Sequence, residues 1–245
     1  KSILSIALAV IMVMALLTVG AFAEDTMTAE DLQQALNAAA SSENKVVTMT
    51  SNVTVTDAGL SSYGDAAIKV PEGVTLDGGN YKIIVENWSS TNQYHIVGVS
   101  STASGSTTTI ENLTIIGNAN TKSGIHAYAC EGKVVLDTVT INDCGNAAVQ
   151  VNGSSVEATA LKTSGNAWGS VNVDVGSSNT HASFNLVSGD LGEEYKIWSE
   201  KNSGSTIGIP SGWVTVNGEV SNDYAPVNDL GTNAVYNETK GTYYR

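Results

Sequence analysis

Aliphatic residues recur in a short pattern along the middle of the chain. The pattern consists of an aliphatic residue, two intervening residues, a second aliphatic residue, one intervening residue and a third. Its copies are Ile110-x-x-Leu113-x-Ile115, Leu136-x-x-Val139-x-Ile141 and, with threonine at the middle position, Val156-x-x-Thr159-x-Leu161. The spacing of the copies falls within the period of roughly 20–50 residues that is typical of solenoid proteins.

The repeated segments are β-prone and show no helical periodicity. Each copy is followed by a second β-prone segment, found at Gly124–Tyr128, Ala148–Val151 and Ser170–Val173. One such turn cannot bury its apolar face alone, whereas stacked turns share a continuous core. The pattern therefore predicts a parallel β-helix over residues 46–218. A left-handed hexapeptide solenoid and a Ca²⁺-binding nonapeptide solenoid are disfavoured, because neither repeat occurs in the chain.

A short amphipathic helix is predicted ahead of the first strand, within the N-terminal segment 24–45. Thr28 can cap the first turn, and Glu30 and Asp31 suit the positive end of the helix dipole. Four apolar residues then fall on one face of the helix, namely Leu32, Ala35, Leu36 and Ala39. We expect residues 28–40 to cover the open end of the solenoid, where the first turn would otherwise expose its core and unpaired backbone.

Two stretches resemble right-handed β-helix proteins of the pectate-lyase-like superfamily. Residues 68–83 (IKVPEGVTLDGGNYKI) are similar to the entry turn of those proteins, and residues 29–39 (AEDLQQALNAA) are similar to their N-terminal capping helix. The resemblance covers roughly residues 28–220. It implies an all-β, right-handed parallel β-helix, but it is unspecific for activity, because many such modules are non-enzymatic.

The N-terminal residues predict export. Residues 3–19 are almost wholly apolar, follow Lys1 and precede the small-x-small sequence Ala21-Phe22-Ala23. This organisation is that of a secretory signal peptide at residues 1–23. The alternative is an N-terminal membrane anchor, since the apolar run nearly spans a bilayer. Cleavage would leave a secreted or cell-surface protein without stable membrane insertion.

The C-terminal segment, residues 219–245, is polar and lacks the repeat. We interpret it as a C-terminal cap, a linker or the lead-in to a further module.

Charge excludes one large class of partner. The net charge is −13, and the single arginine is Arg245. Nucleic-acid binding requires clustered Lys and Arg that release counterions. Nucleic acid and anionic membrane surfaces are therefore poor partners, and the acidic excess favours solubility.

Cys130 and Cys144 each follow a predicted strand. They could meet across neighbouring turns as a disulfide, which export would permit. A metal site at these residues is disfavoured, because two isolated cysteines lack zinc-ligand spacing.

Catalytic chemistry finds little support in the sequence. The lyases of this fold class use a basic residue, usually Arg, and no Arg precedes position 245. The N-T-D, D-D, G-H-G and R-I-K motifs of polygalacturonases are absent. Glu111 and Asp137 occupy matching repeat positions and could form a carboxylate pair, but an outward, solvated role is favoured. The histidines, His95, His126 and His181, are read as isolated polar residues. We predict no cofactor and no metal.

Trp168 is the best candidate for ligand contact. It lies in a Gly-rich turn, where its ring could stack on a sugar, although packing at the edge of a turn is the alternative. The sequence therefore predicts an exported, non-catalytic β-helix module that acts as an adhesin-like or structural surface protein with weak binding to cell-wall or host glycans. The alternative is a polysaccharide lyase or glycoside hydrolase of the β-helix type.

Overall fold

The computed structural model describes residues 26–56, 65–89, 94–175, 182–192, 197–200, 205–208 and 224–227. The signal peptide predicted at residues 1–23 lies outside these ranges, as does the C-terminal segment 219–245 apart from its residues 224–227. Within the described ranges, no helix has the length and apolar character needed to cross a membrane.

The described chain contains one helix, α1 (Ala29–Ala40), followed by short strands. The strands are β1 Val46–Thr48, β2 Val53–Val55, β3 Ala66–Val70, β4 Thr75–Asp77, β5 Lys82–Val85, β6 His95–Val99, β7 Thr107–Ile116, β8 Ile125–Tyr128, β9 Lys133–Asn142, β10 Val149–Asn152, β11 Ser155–Thr159, β12 Leu161–Ser164, β13 Val171–Asp174, β14 Ala182–Leu186, β15 Gly189–Leu191, β16 Ile197–Glu200, β17 Ser205–Gly208 and β18 Tyr224–Val227.

The strands stack in parallel on three faces of a β-solenoid, which confirms the architecture predicted from the repeat. Face 1 contains β1, β4, the first half of β7 and of β9, then β11, β14 and β17. Face 2 contains β2, β5, the second half of β7 and of β9, then β12 and β15. Face 3 contains β3, β6, β8, β10, β13 and β16, and β18 pairs with β16 in the antiparallel direction.

The register of the first two aliphatic copies is confirmed. Ile110 pairs with Leu136, Leu113 lies beside Val139, and Ile115 lies beside Ile141. All six side chains are at most 1% exposed, so they form continuous columns in the core. Each buried aliphatic side chain of this size contributes about 1.5–3 kcal/mol to folding.

The register assigned to the third copy is wrong by two positions. Val156 pairs with Val134, and Ala158 is the residue that continues the Leu136 column. The third copy is therefore Ala158-x-x-Leu161-x-Thr163, with all three side chains buried. Thr159 instead stands beside Asp137 on the outer surface. This copy does not show the pattern of large aliphatic residues, because Ala158 is small and Thr163 is polar.

A single left-handed residue forms the corner between faces 1 and 2. Asn112, Thr138 and Ala160 have φ values of 51°, 55° and 51° in successive turns. A non-glycine residue rarely adopts this conformation, and the cost is roughly 1–3 kcal/mol for each. The hydrogen bonds and core contacts on both sides of the corner offset that cost and hold the bend in place.

The Asp77-Gly78-Gly79-Asn80 turn contains two consecutive left-handed residues. Gly79 and Asn80 have φ values of 57° and 67°. A Cβ atom on Gly78 would lie 2.5 Å from the carbonyl oxygen of Asn112 in the next turn. Glycine therefore permits the backbones of adjacent turns to approach each other here.

Helix α1 caps the solenoid, as predicted. It packs against β1, β2 and β3, one strand from each face. Thr28 is its N-cap and exchanges hydrogen bonds with Asp31 in a capping box. The side chains of Leu32 and Leu36 are fully buried against the first turn.

The side-chain amide of Gln33 pairs with the edge of β3 that has no neighbouring strand in the described chain. Its Nε2 atom donates to the carbonyl oxygen of Lys69 at 2.9 Å, and its Oε1 atom accepts from the Lys69 amide at 2.7 Å. One primary amide thereby makes the two hydrogen bonds that a preceding strand would make. Gln33 is 2% exposed, so these backbone groups are shielded from water.

We expect Gln33→Ala to lower the free energy of unfolding by about 1–3 kcal/mol, because it leaves the Lys69 backbone groups unpaired. Gln34→Ala is the matched control, since Gln34 is exposed and its side chain donates only to Glu30. Urea denaturation of the two variants measures the difference. Equal midpoints would show that the Gln33 contacts contribute nothing to stability.

Candidate functional site

A groove lined mainly by polar residues crosses four successive turns on the outer surface of face 1. It has a volume of about 430 Å³. Its floor includes an in-register column formed by Thr107, Lys133, Ser155 and Ser183, one residue from each turn. Neighbouring strands lie about 4.8 Å apart, so this column is about 14 Å long. The remaining lining residues are Gly105, Ser106, Glu131, Gly132, Val156, Glu157 and Asn185.

An ion pair compensates the central charges of the groove, and hydrogen bonds connect its polar side chains. The Nζ atom of Lys133 lies 3.0 Å from Oε1 of Glu157, and the Asn185 amide donates to the other carboxylate oxygen at 3.4 Å. The ammonium of Lys133 holds the pKa of Glu157 below its usual range. The hydroxyl of Ser183 donates to that of Ser155 at 2.9 Å. The groove therefore offers hydroxyls, an amide and one compensated ion pair.

Close backbone packing shapes one rim of the groove. A Cβ atom on Gly132 would lie 2.1 Å from the hydroxyl oxygen of Ser106. The hydroxyls of Ser101 and Ser106 are themselves 2.8 Å apart. Gly132 thus lets the loop before β9 lie against the loop before β7, and any larger residue would push the two apart.

An acidic column runs along the same face, next to the corner. Asp77, Glu111 and Asp137 stand in register on β4, β7 and β9. Burial, reinforced by the charges of Asp77 and Asp137, raises the pKa of Glu111. The pKa of Asp77 is lowered, chiefly because its carboxylate accepts a hydrogen bond from the Gly79 amide at 2.9 Å. Glu111 and Asp137 stand side by side, as their matching repeat positions predict, and Asp77 extends the pair to a third strand.

A carboxylate and two imidazoles lie together on face 3. Asp65 immediately precedes β3, His95 begins β6, and His126 is the second residue of β8. One potential ligand atom from each of the three lies within 4.8 Å of the others. The two imidazole rings stack with centroids 3.9 Å apart. We refer to these three residues as the acid–imidazole cluster.

Neighbouring polar groups orient both rings of the cluster. The Ser123 amide donates to Nδ1 of His95 at 3.3 Å. Nε2 of His126 lies 2.8 Å from Oδ1 of Asn152, and Nδ1 lies 3.6 Å from Oδ2 of Asp65. The phenol ring of Tyr128 lies against His126 with centroids 5.5 Å apart. The Ser123 hydroxyl donates to Gln150, so it does not form a nucleophile–base pair with an imidazole.

Burial sets the electrostatics of the cluster. Both histidines are buried, with 3% of His95 and 7% of His126 exposed. Desolvation, followed by repulsion from His126 and Lys122, lowers the pKa of His95 to about 2. The imidazole of His126, whose Nδ1 atom lies 3.6 Å from the carboxylate, holds the pKa of Asp65 well below its usual range. His95 is therefore neutral, and Asp65 is ionised, at physiological pH.

A second cavity, of about 220 Å³, opens beside the cluster. It is lined by Asp65, Lys69, Gly98, Val99, Ser100, His126 and Tyr128. Gly98 stands directly beside His126 on the adjacent strand and presents no side chain there. The cluster can thus be reached from solvent, and its nitrogen and oxygen donors are of the kind that hold a divalent metal ion.

The sequence pattern does not predict the acid–imidazole cluster, because the histidines are far apart along the chain and have no recognisable partners there. Gly98, and not His95, is the residue of β6 that stands in register with His126 on β8. The two rings therefore meet diagonally and do not occupy matching repeat positions. A signal for His126 does exist, since it lies between the core residues Ile125 and Ala127 and so faces outward. His181 lies outside the described residues.

Trp168, the predicted glycan contact, is accessible to solvent. Its side chain is 45% exposed in the turn between β12 and β13. It is not among the lining residues of either cavity. Its role in binding therefore stays a prediction.

The disulfide considered for Cys130 and Cys144 is not formed in the structure. Sγ of Cys130 lies 3.4 Å from the Val99 carbonyl oxygen, at the corner that follows face 3. Sγ of Cys144 lies 3.8 Å from the Asn142 carbonyl oxygen, at the corner that follows face 2. The two thiols lie at different corners and are buried. Burial also raises the pKa of Cys130, which disfavours a reactive thiolate.

We expect the acidic column to destabilise the fold more as the pH rises. Because the pKa of Glu111 is raised on folding, the folded state binds this proton more tightly than the unfolded state does. The contribution of Glu111 to stability should therefore fall as the pH rises from the ordinary Glu pKa of about 4.3. Glu111→Gln should melt at a higher temperature than the unmodified chain at pH 7, and the difference should vanish near pH 4.

Glu86→Gln is the control for this experiment, since it removes the same charge at an exposed position outside the column. Thermal melting followed by circular dichroism at several pH values measures the effect. A benefit of Glu111→Gln that is equal at pH 4 and pH 7 would contradict the electrostatic explanation.

Comparison with known proteins found no matching family model, no matching curated protein and no matching solved structure. The resemblance to the pectate-lyase-like superfamily therefore stays a prediction, while the parallel β-solenoid itself is established by the strand pairing.

Proposed function

We propose that this chain is an exported, non-catalytic β-solenoid module that binds neutral glycans at the cell surface. The observation that carries the proposal is the groove on face 1, which offers an extended row of hydroxyls, an amide and a compensated ion pair across four turns. Sugars are recognised through such polar groups, and a rigid solenoid presents them at fixed spacing. The adhesin-like or structural role follows from the fold by analogy only.

Charge selects the class of glycan. Lys133 is the only basic residue among the described groove residues, and it is paired with Glu157. Glu131 also lines the groove, and the chain carries a net charge of −13. A polyanionic uronide would be repelled, whereas a neutral polysaccharide meets no such barrier.

We expect the chain to be retarded in affinity gel electrophoresis by a neutral galactomannan or mixed-linkage β-glucan, and to migrate normally through polygalacturonate. Ser155→Tyr should abolish the retardation, because the added ring fills the centre of the groove. Thr114→Tyr makes a comparable change on the outer surface of face 2 and should leave binding unchanged.

Two outcomes would contradict the groove as the binding site. Equal retardation of Ser155→Tyr and Thr114→Tyr would exclude it. Loss of binding in Trp168→Ala, with Ser155→Tyr unaffected, would move the glycan contact to the exposed Trp168 ring. Circular dichroism of each variant confirms that the fold is kept.

A second candidate function, glycan hydrolysis, is favoured by the contrast between Asp77 and Glu111. These carboxyl groups stand on adjacent strands, about 4.8 Å apart along the solenoid, and retaining glycosidases place theirs about 5–5.5 Å apart. Their pKa values are shifted in opposite directions, as in an acid and a nucleophile. The pair lies outside the residues that line the groove, which favours binding over catalysis.

Assays of reducing ends, together with absorbance assays of unsaturated uronides, separate the two candidate functions. We expect no release of either product from neutral or acidic polysaccharides, with or without Ca²⁺. Turnover that Glu111→Gln abolishes and Glu86→Gln retains would establish hydrolysis and overturn the non-catalytic proposal.

A further inference from the structure

We propose that Asp65, His95 and His126 bind one divalent transition-metal ion, for which Zn²⁺ is the best fit. The three side chains come from successive turns, and their ligand atoms lie within 4.8 Å of one another. Two imidazoles and one carboxylate form a ligand set used by open zinc sites. This site is separate from the glycan groove, because it lies on face 3 and shares no lining residue with the groove.

The hydrogen bonds of His126 point to a cation at its Nδ1 atom. Nε2 lies 2.8 Å from an acceptor, Oδ1 of Asn152, and the tautomer with its proton on Nε2 donates to this oxygen. A neutral ring holds only one N–H, and the lone pair of Nδ1 then faces the Asp65 carboxylate. A metal ion bound between the Nδ1 lone pair and the Asp65 carboxylate would replace their repulsion with two favourable contacts. An N–H donated to a carbonyl oxygen is also the arrangement that orients metal-bound histidines in many sites.

The separation between Nδ1 of His126 and Oδ2 of Asp65 suits a bridging ion. It is 3.6 Å, longer than a direct hydrogen bond, which spans about 2.7–3.2 Å. It is too short for a water molecule to stand between the two atoms in line. Two ligands on a tetrahedral zinc with bonds of about 2.1 Å lie about 3.4 Å apart. These two ligands are therefore nearly in place.

His95 requires a modest adjustment to act as the third ligand. Its ring is stacked on His126, and Nδ1 is held by a hydrogen bond of 3.3 Å from the Ser123 amide. This long contact is weak, so the ring can exchange it for a metal bond. The stacking keeps the ring next to His126 while it turns.

The cavity beside the cluster provides both an entry path and an open coordination position. Asp65 is the exposed member, with 55% of its side chain accessible to solvent, while the buried His126 lines the wall of the cavity. Lys69 also lines the cavity and opposes a cation there. The carboxylate of Asp65 offsets that opposition, so it should be indispensable for binding. The fourth ligand would be water.

Isothermal titration of the metal-free chain with Zn²⁺, repeated with Co²⁺ under visible absorption, tests the proposal. We expect one ion per chain and a Co²⁺ spectrum typical of nitrogen and oxygen ligands. Asp65→Asn and His126→Gln should each weaken binding at least tenfold, because ligand loss should cost no less than the roughly 10–100-fold seen for groups behind the ligands.

Asp137→Asn is the matched control for Asp65→Asn. It removes one carboxylate from the acidic column on face 1, so it changes the net charge equally but leaves the cluster intact. Its affinity for Zn²⁺ should equal that of the unmodified chain. Since Asp65 is exposed, Asp65→Asn should stay folded even if His126→Gln does not, and circular dichroism identifies which variants are folded.

Three results would overturn the metal site. The first is the absence of saturable Zn²⁺ binding by the folded chain. The second is unchanged affinity in Asp65→Asn. The third is an equal loss of affinity in Asp137→Asn, which would assign binding to general negative charge.

Discussion

Backbone hydrogen bonds between successive turns hold this solenoid together, because a strand cannot pair with the strand that follows it inside its own turn. A turn that lost its neighbours would leave a row of N–H and C=O groups unpaired. The same pairing aligns the core, so that Ile110, Leu136 and Ala158 form one column. Gln33 shows how strict the requirement is, since a side-chain amide replaces the missing neighbour at the first edge.

The register that aligns the core also determines which polar residues meet on the outside. Asp77, Glu111 and Asp137 stand together because their neighbours Leu76, Ile110 and Leu136 must. Burial, together with that proximity, raises the pKa of Glu111. The groove on face 1 and the acid–imidazole cluster on face 3 arise in the same way. The polar residues on the surface of this fold therefore lie in columns, and each turn contributes one residue to each column.

The sequence predicted the parts of the structure that depend on local pattern. The α1 helix follows from Thr28 and the apolar stripe behind it, and the first two aliphatic copies follow from large residues at equal spacing. The third copy was misplaced by two positions, because Ala158 and Thr163 resemble surface residues in isolation. The acid–imidazole cluster could not be predicted, because it needs the register of face 3, and its histidines do not stand in register with each other.

The single left-handed residue at the corner of faces 1 and 2 also governs where the turns can vary in length. From β7 to β9, and again from β9 to the β11–β12 pair, the register is the same on both sides of this corner. The turn that begins with β9 is nevertheless shorter than the turn that begins with β7. Its connection from β9 to β10 is shorter than the earlier connection from β7 to β8. Likewise, its connection from β10 to β11 is shorter than the earlier connection from β8 to β9. The shortening thus occurs at the two corners that flank face 3. Insertions at those corners would leave the core columns aligned, which makes them the positions where recognition loops can be grafted onto this scaffold.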